Sequence, residues 1–227
     1  MKKVRNLLVA AIAIVSLNTS AFAGNFGVGV TGSLAQIGGN GSLTEGTKGT
    51  ETETENSGSA NATAVVGSLF IEYTADALMG MTIGFDYIPG EADVNDKKLT
   101  RTDAAQGSLS PPTTDDGDYT AQASLSDHMT VYVELPIHAG MYGKVGYTEL
   151  DVDVTTTAVS GSTYNDQTAD GIVYGFGYKN DFGTNGYYKV EGTVTDFDSV
   201  KTVSTTGDSV SADLDVTRAT FALGYKF

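Results

Sequence analysis

Phe221-Ala222-Leu223-Gly224-Tyr225-Lys226-Phe227 ends the chain with an aromatic or apolar side chain at every second position. Strict alternation of this kind specifies a strand with one apolar face and one small or polar face. Seven further segments upstream carry the same period. Phe26, Val28, Val30 and Leu34 interleave with Gly27, Gly29, Thr31 and Ser33; Val65, Leu69, Ile71 and Tyr73 share a face opposite Ser68 and Glu72. Met79, Met81, Ile83, Phe85 and Tyr87 alternate with Gly80, Thr82, Gly84 and Asp86. Leu125, Met129, Val131, Val133 and Leu135 alternate with Ser126, His128, Thr130, Tyr132 and Glu134. Met141, Val145 and Tyr147 then oppose Tyr142, Lys144 and Thr148, and Ile172, Tyr174, Phe176 and Tyr178 oppose Gly171, Gly175, Gly177 and Lys179. Tyr188, Val190 and Val194 oppose Lys189, Glu191 and Thr193 in the seventh segment, and the eighth spans roughly 216–227.

The N-terminus reads as an export signal. Met1-Lys2-Lys3-Val4-Arg5 is basic, Leu7 to Leu17 is apolar, and Ala21-Phe22-Ala23 is a small-x-small cleavage site, the three parts of a secretory signal peptide over 1–23. The apolar run is far short of the roughly 20 residues a membrane-spanning helix needs. Residues 24–227 then form one domain. Removing Lys2, Lys3 and Arg5 from a net charge of −15 leaves −18, which argues against nucleic acid as a partner. The chain has no Cys, which excludes disulfides, thiolate metal sites and a cysteine nucleophile.

Connection lengths alternate as well. The links Ala75 to Leu78, Pro136 to His138 and Asn180 to Asn185 are short, whereas about 36–62, 89–118, 153–169 and 197–214 are long and polar. Short turns at one end and long loops at the other suit a transmembrane barrel. They give a soluble sandwich no advantage. The first outward charges, Asp127, Glu149 and Asp196, fall about eight residues above the short turns. At about 3.3 Å per residue and a tilt of about 40° this is a rise of about 20 Å, close to the roughly 25 Å lipid band of such barrels. Phe26, Tyr73, Tyr178, Tyr188, Tyr225 and Phe227 would line the periplasmic rim, with Tyr87 and Tyr147 nearer the outer one. That spacing predicts an aromatic girdle.

The alternation, the export signal and the terminal Phe together resemble the small eight-stranded outer-membrane barrels of the OmpA, OmpX and OmpW type. The resemblance covers the whole mature chain and is one of architecture rather than of a diagnostic motif. It implies an all-β fold, an eight-stranded antiparallel up-and-down transmembrane β-barrel in the outer membrane of a Gram-negative bacterium. It further implies that Phe221, Leu223, Tyr225 and Phe227 serve as the signal read by the barrel-assembly machinery. The chain stopping at Phe227, no OmpA-like periplasmic domain is expected.

Inward-facing charges carry the chemistry. Lys144, Lys179, Lys189, Arg218 and Lys226 fall on the inner face with Glu72, Asp86, Glu134 and Glu191, a near balance in a strongly acidic chain. An eight-stranded lumen is just wide enough for side chains to fill, and buried charges must be paired and hydrogen-bonded. A charge-paired plug is therefore expected, with Lys144 near Glu134, Glu191 and Asp86. A few outer-membrane barrels act on lipid A with a Ser, a His and an acid. Here Ser126 and His128 lie on one predicted face about 7 Å apart, beyond hydrogen-bond reach, so catalysis is not expected. The loops hold the excess acid, with Glu45, Glu51, Glu53 and Glu55 in the first and Glu91, Asp93, Asp96, Asp103, Asp115, Asp116 and Asp118 in the second. No calcium-loop pattern is present and acidic loops are usually solvated, so neither a metal nor a cofactor is expected. The sequence reading is a monomeric, non-enzymatic envelope protein in contact with outer-membrane lipid and lipopolysaccharide, with a structural or adhesive role. The alternative is a narrow OmpW-like channel for small or apolar solutes.

Overall fold

The computed structural model describes residues 24–44, 55–93, 99–103, 117–157, 163–205 and 209–227. The predicted signal peptide and much of the acidic loop sequence, including Glu45, Glu51, Glu53, Asp96, Asp115 and Asp116, lie outside these residues. Among the described residues there are ten strands: β1 Gly24–Thr44, β2 Glu55–Ala75, β3 Met81–Asp93, β4 Leu99–Asp103, β5 Gly117–His138, β6 Met141–Thr157, β7 Gln167–Phe182, β8 Gly186–Phe197, β9 Val200–Val203 and β10 Ser209–Lys226. Eight of them pair antiparallel in the order β1-β2-β3-β5-β6-β7-β8-β10, and β1 pairs with β10 to close the sheet. The two short strands are appended at the end opposite the short turns, β4 on β5 and β9 on β10.

Alternation decides which way each side chain points. Val28, Val30, Leu34, Leu69, Ile71, Phe176, Val190, Phe221 and Leu223 are exposed on the outer surface, while Ser33, Ser68, Glu72, Lys189, Glu191 and Thr220 are buried inside. Such inversion of the usual soluble pattern is what a lipid-facing barrel requires. At the rim that carries the short turns the aromatics meet in pairs: Phe26 with Tyr73 at 5.0 Å, Tyr178 with Tyr188 at 6.2 Å and Tyr225 with Phe227 at 5.3 Å between ring centroids.

Four sequence expectations are corrected. Met79 is in the β2–β3 turn, in a left-handed conformation with φ 58°, and strand pairing begins at Met81. The segments read as long loops are strand over much of their length: β1 runs to Thr44 and β2 starts at Glu55. Above the membrane both faces of a hairpin are solvated, so Gly, Ser, Thr and Asn propagate the ladder without an apolar face to betray it. Glu149, placed on the outward face, is buried at 3% exposure. Finally, a β-bulge interrupts β5, where Ser126 pairs with Asp151 but Met129 pairs with Glu149. Asp127 has φ 48° there and accepts a hydrogen bond from the Tyr87 hydroxyl at 3.1 Å. The extra residue flips the alternation above it. Leu125 consequently packs against the inner cluster of Leu150, Ala169 and Phe197 instead of facing lipid.

Candidate functional site

The lumen is stratified, and its periplasmic half is the charged layer. β2 supplies Glu72, β5 Glu134, β6 Lys144, β7 Lys179, and β8 both Lys189 and Glu191, each on the inward-facing parity of its own strand, even in β2, β5 and β6 and odd in β7 and β8. Lys189 is the hub. Its Nζ donates to Glu72 Oε2 at 2.9 Å and Glu134 Oε1 at 2.7 Å, and lies 3.5 Å from Glu191 Oε1. Lys179 donates to Glu72 Oε1, and Lys144 donates to Glu191 Oε2 at 2.8 Å. Three lysines thus face three glutamates, all but Lys179 nearly inaccessible to water.

Aromatic rings complete the layer. The Tyr142 hydroxyl donates to Glu191 Oε1 at 2.6 Å and the Tyr132 hydroxyl to Glu72 Oε2 at 3.2 Å. The Lys144 ammonium sits 4.0 Å from the Tyr132 ring centroid, Lys179 4.4 Å from Tyr187, and Lys189 4.6 Å from Phe70. Cation–π contacts of this kind gain strength where water is excluded. Room for the rings comes from glycine on the facing strands. A Cβ on Gly84 would stand 2.2 Å from the Tyr132 ring and one on Gly224 2.2 Å from the Tyr187 ring, so both positions require a bare backbone.

Above the charges lies a hydroxyl layer. Ser33 pairs with Thr220 at 2.8 Å, Thr130 with Thr148 at 2.9 Å, and Thr148 with His128 Nε2 at 2.7 Å. Ser68 donates to Asp86 Oδ2, and Arg218 Nη1 lies 3.8 Å from Asp86 Oδ1, which is an ion pair without a hydrogen bond. Higher still the lumen turns apolar, with Ala35, Ile37, Leu150, Ala169 and Phe197 buried. That apolar upper half was not anticipated. The bulge at Asp127 brings Leu125 into it, and a single substitution of parity leaves little sequence trace.

Of the residues singled out from the sequence, Glu72, Glu134, Lys144, Lys189 and Glu191 therefore come together in one network. Asp86 and Arg218 form a separate pair above it. Lys144 reaches Glu191 rather than Asp86, and its ladder partner Glu134 is held by Lys189. Lys226 lies at the rim, bonded to the exposed Asp181. Phe70 and Tyr187 were missed, although the parity of β2 and β8 points both inward. Ser126 donates to Asp153 Oδ2 at 3.0 Å and His128 bonds Thr148, so the two share no hydrogen bond. Phe221, Leu223 and Tyr225 project outward from β10, and Phe227 follows the strand, its amide donating to the Phe26 carbonyl at 2.9 Å.

A family model described as outer membrane protein beta-barrel domain matches residues 7–227. Among solved structures the chain is similar to the outer membrane protein OprG from Pseudomonas aeruginosa, at 12% identity and a TM-score of 0.44, covering 91% of this chain and 97% of that one. It is also similar to Ail, the attachment invasion locus protein of Yersinia pestis, at 11% identity and a TM-score of 0.39, covering 88% and 99%. The outer membrane protease OmpT from Escherichia coli is similar at 10% identity and a TM-score of 0.44, covering 92% and 100%. No curated protein matches the chain.

Proposed function

We propose a structural and cell-surface role for this chain, which belongs to the outer membrane protein beta-barrel domain family: a monomeric, non-enzymatic barrel that seals its own lumen and displays acidic extracellular loops. One observation carries the reading. Lys189, at 2% exposure, is bonded to Glu72 and Glu134 and lies 3.5 Å from Glu191, so carboxylates from β2, β5 and β8 meet on one ammonium in the centre of the barrel. An ion crossing this layer would have to separate pairs that have no water to replace them, a cost of several kcal/mol per ion. Such a lumen supports the wall rather than a path through it.

The acidic loops suit adhesion or contact with lipopolysaccharide, and the C-terminal strand suits engagement with the assembly machinery. Single-channel recording in a planar bilayer tests the sealed lumen: silence across applied voltages supports the structural role, and steady discrete openings favour the narrow channel. Deleting each extracellular loop in turn, with envelope integrity and surface binding as readouts, separates support of the envelope from adhesion.

A further inference from the structure

The two ends of the barrel treat water differently. At the end of the long connections the apolar alternation gives out, and Gly, Ser, Thr and Asn carry β1 to Thr44 and β2 back from Glu55. At the end of the short turns it persists into the turns. Ile137 keeps the outward parity of Val131, Val133 and Leu135 in β5, and Phe182 that of Tyr174, Phe176 and Tyr178 in β7, with Asn180 interrupting the column. Both are exposed, at 67% and 50%, and Met79 in the β2–β3 turn reaches 85%. The charged residues Lys179, Asp181 and Lys226 fall on the inward parity of their strands, and the Lys226 ammonium meets Asp181. Such two-faced strand ends fit an apolar medium outside and water at the mouth. Water on both sides would remove the distinction.

Turn geometry does not call for these apolar side chains. Gly80, Gly140 and Gly183 supply positive φ, at 80°, 85° and 64°, and Asp76, Pro136 and Asn185 are ordinary turn residues. Met79 itself stands at φ 58°, a left-handed conformation that Asn or Gly reaches at lower cost than a long apolar side chain. Phe182 folds along the wall: a Cβ on Gly186 would stand 2.5 Å from its ring, so the ring covers the first residue of β8. Gly186 is two positions from Tyr188 of the aromatic rim. At about 3.3 Å per residue and a tilt of about 40° the drop between them is about 5 Å. That depth lies within the roughly 5–7 Å of headgroup layer on one side of a bilayer.

We infer that Met79, Ile137 and Phe182 are membrane anchors, setting the short turns into the headgroup–acyl boundary of the leaflet at that end. Lipid is the occupant of these tips because Ile137 and Phe182 extend the lipid-facing columns of their own strands. Among the described residues no Lys or Arg shares the outward parity at this level, so the contact is apolar rather than electrostatic. The inference goes beyond the sealed-lumen reading and stands whether or not the lumen conducts.

The chain has no Trp, so single tryptophans report depth without background. Met79→Trp, Ile137→Trp and Phe182→Trp are refolded into phosphatidylcholine vesicles whose acyl chains carry bromine either near the headgroup or near the chain end, with folding checked by gel mobility. Ser59→Trp, at an exposed position of β2, is the aqueous reference, and Phe176→Trp, on the lipid face, the mid-band one. The three tip variants should be quenched about threefold more by the shallow bromine than by the deep one, because the quencher must lie at ring depth. Their emission should be blue-shifted from that of Ser59→Trp and their access to iodide reduced, and Phe176→Trp should show the reverse bromine order. Tryptophan is itself drawn to interfaces, so a further variant avoids it. Met79→Asn suits positive φ better and would raise the urea midpoint of a turn in water; anchoring in lipid predicts a lowered midpoint from vesicles. Tip emission and iodide access equal to those of Ser59→Trp, or a raised midpoint in Met79→Asn, would overturn the proposal and leave the tips as a surface for a protein in the aqueous space.

Discussion

Replacing Lys189 by Met isolates the physics of the charged layer, because the three carboxylates around it do not suffer equally. Glu72 keeps Lys179 and the Tyr132 hydroxyl, and Glu191 keeps Lys144 and the Tyr142 hydroxyl. Glu134 loses the one ion pair it makes among the described residues. Met matches the methylene stem in volume, so the cost is electrostatic: leaving one buried charge uncompensated should lower stability by about 3–5 kcal/mol. Adding Glu134→Gln to Lys189→Met removes the stranded charge and should recover a large part of that loss. Adding Glu191→Gln instead should recover little, since it also strands Lys144. The chain has no Trp, so urea unfolding from thin phosphatidylcholine vesicles is best followed by circular dichroism and by heat-modifiable gel mobility. A Lys189→Met change within about 0.5 kcal/mol of the parent, or equal recovery by the two glutamine substitutions, would refute the reasoning and show a lumen wet enough to screen its charges.

Other expected outcomes follow from the wall. Leu223→Arg puts a charge on the lipid face, where Leu223 is 45% exposed, and should cost about 2–4 kcal/mol. Thr220→Arg, buried beside Ser33, should act through lumen packing instead; equal negligible effects on reversible folding would invert the inside-outside assignment. Gly84→Ala should destabilise by about 1–3 kcal/mol, because its methyl overpacks the Tyr132 ring, and Gly84→Ala with Tyr132→Phe should not relieve it; a neutral Gly84→Ala in the same urea assay argues against ring-on-backbone packing. Deleting Phe227 should slow membrane insertion and leave periplasmic aggregate while export proceeds, read by the fraction of heat-modifiable protein over time; a normal fraction would rule out the terminal aromatic as the assembly signal.

The period-two pattern made most of the wall legible, because a strand between lipid and a packed lumen has no freedom to exchange its faces. Phe26, Val28 and Val30 outward with Gly27, Gly29 and Thr31 inward could be read directly. Who pairs with whom could not. Lys144 and Glu134 are ladder partners, yet the lysine reaches across to Glu191, since strand tilt and stagger set which side chains share a height, and the sequence prints neither. The bulge was hidden because its one local mark is Asp127 at positive φ, a conformation that Asp tolerates without announcing it. Hairpins above the membrane were hidden for the opposite reason: water on both faces removes the alternation that strand reading relies on.

Charge and opening occupy different heights of the barrel for a connected reason. In the periplasmic half, ion pairs run across the lumen between strands that are not neighbours: Glu72 of β2 is tied to Lys179 of β7 and Lys189 of β8, and Glu134 of β5 to Lys189. Parting β2 from β3 at that level would stretch bonds on the far side of the barrel as well as the ladder between them. Above the hydroxyl layer the inner contacts include the non-directional apolar cluster of Leu150, Ala169 and Phe197, and β2 and β3 are held there by their ladders with β1 and β5. Pro89, Gly90 and register shifts at Ile88/Glu91 and Ser126/Met129 are tolerated there, and among the described residues the β2–β3 ladder ends at Leu69↔Tyr87. Directional ion pairing and the break in the ladder are thereby separated along the barrel axis, the one toward the short turns and the other toward the long connections.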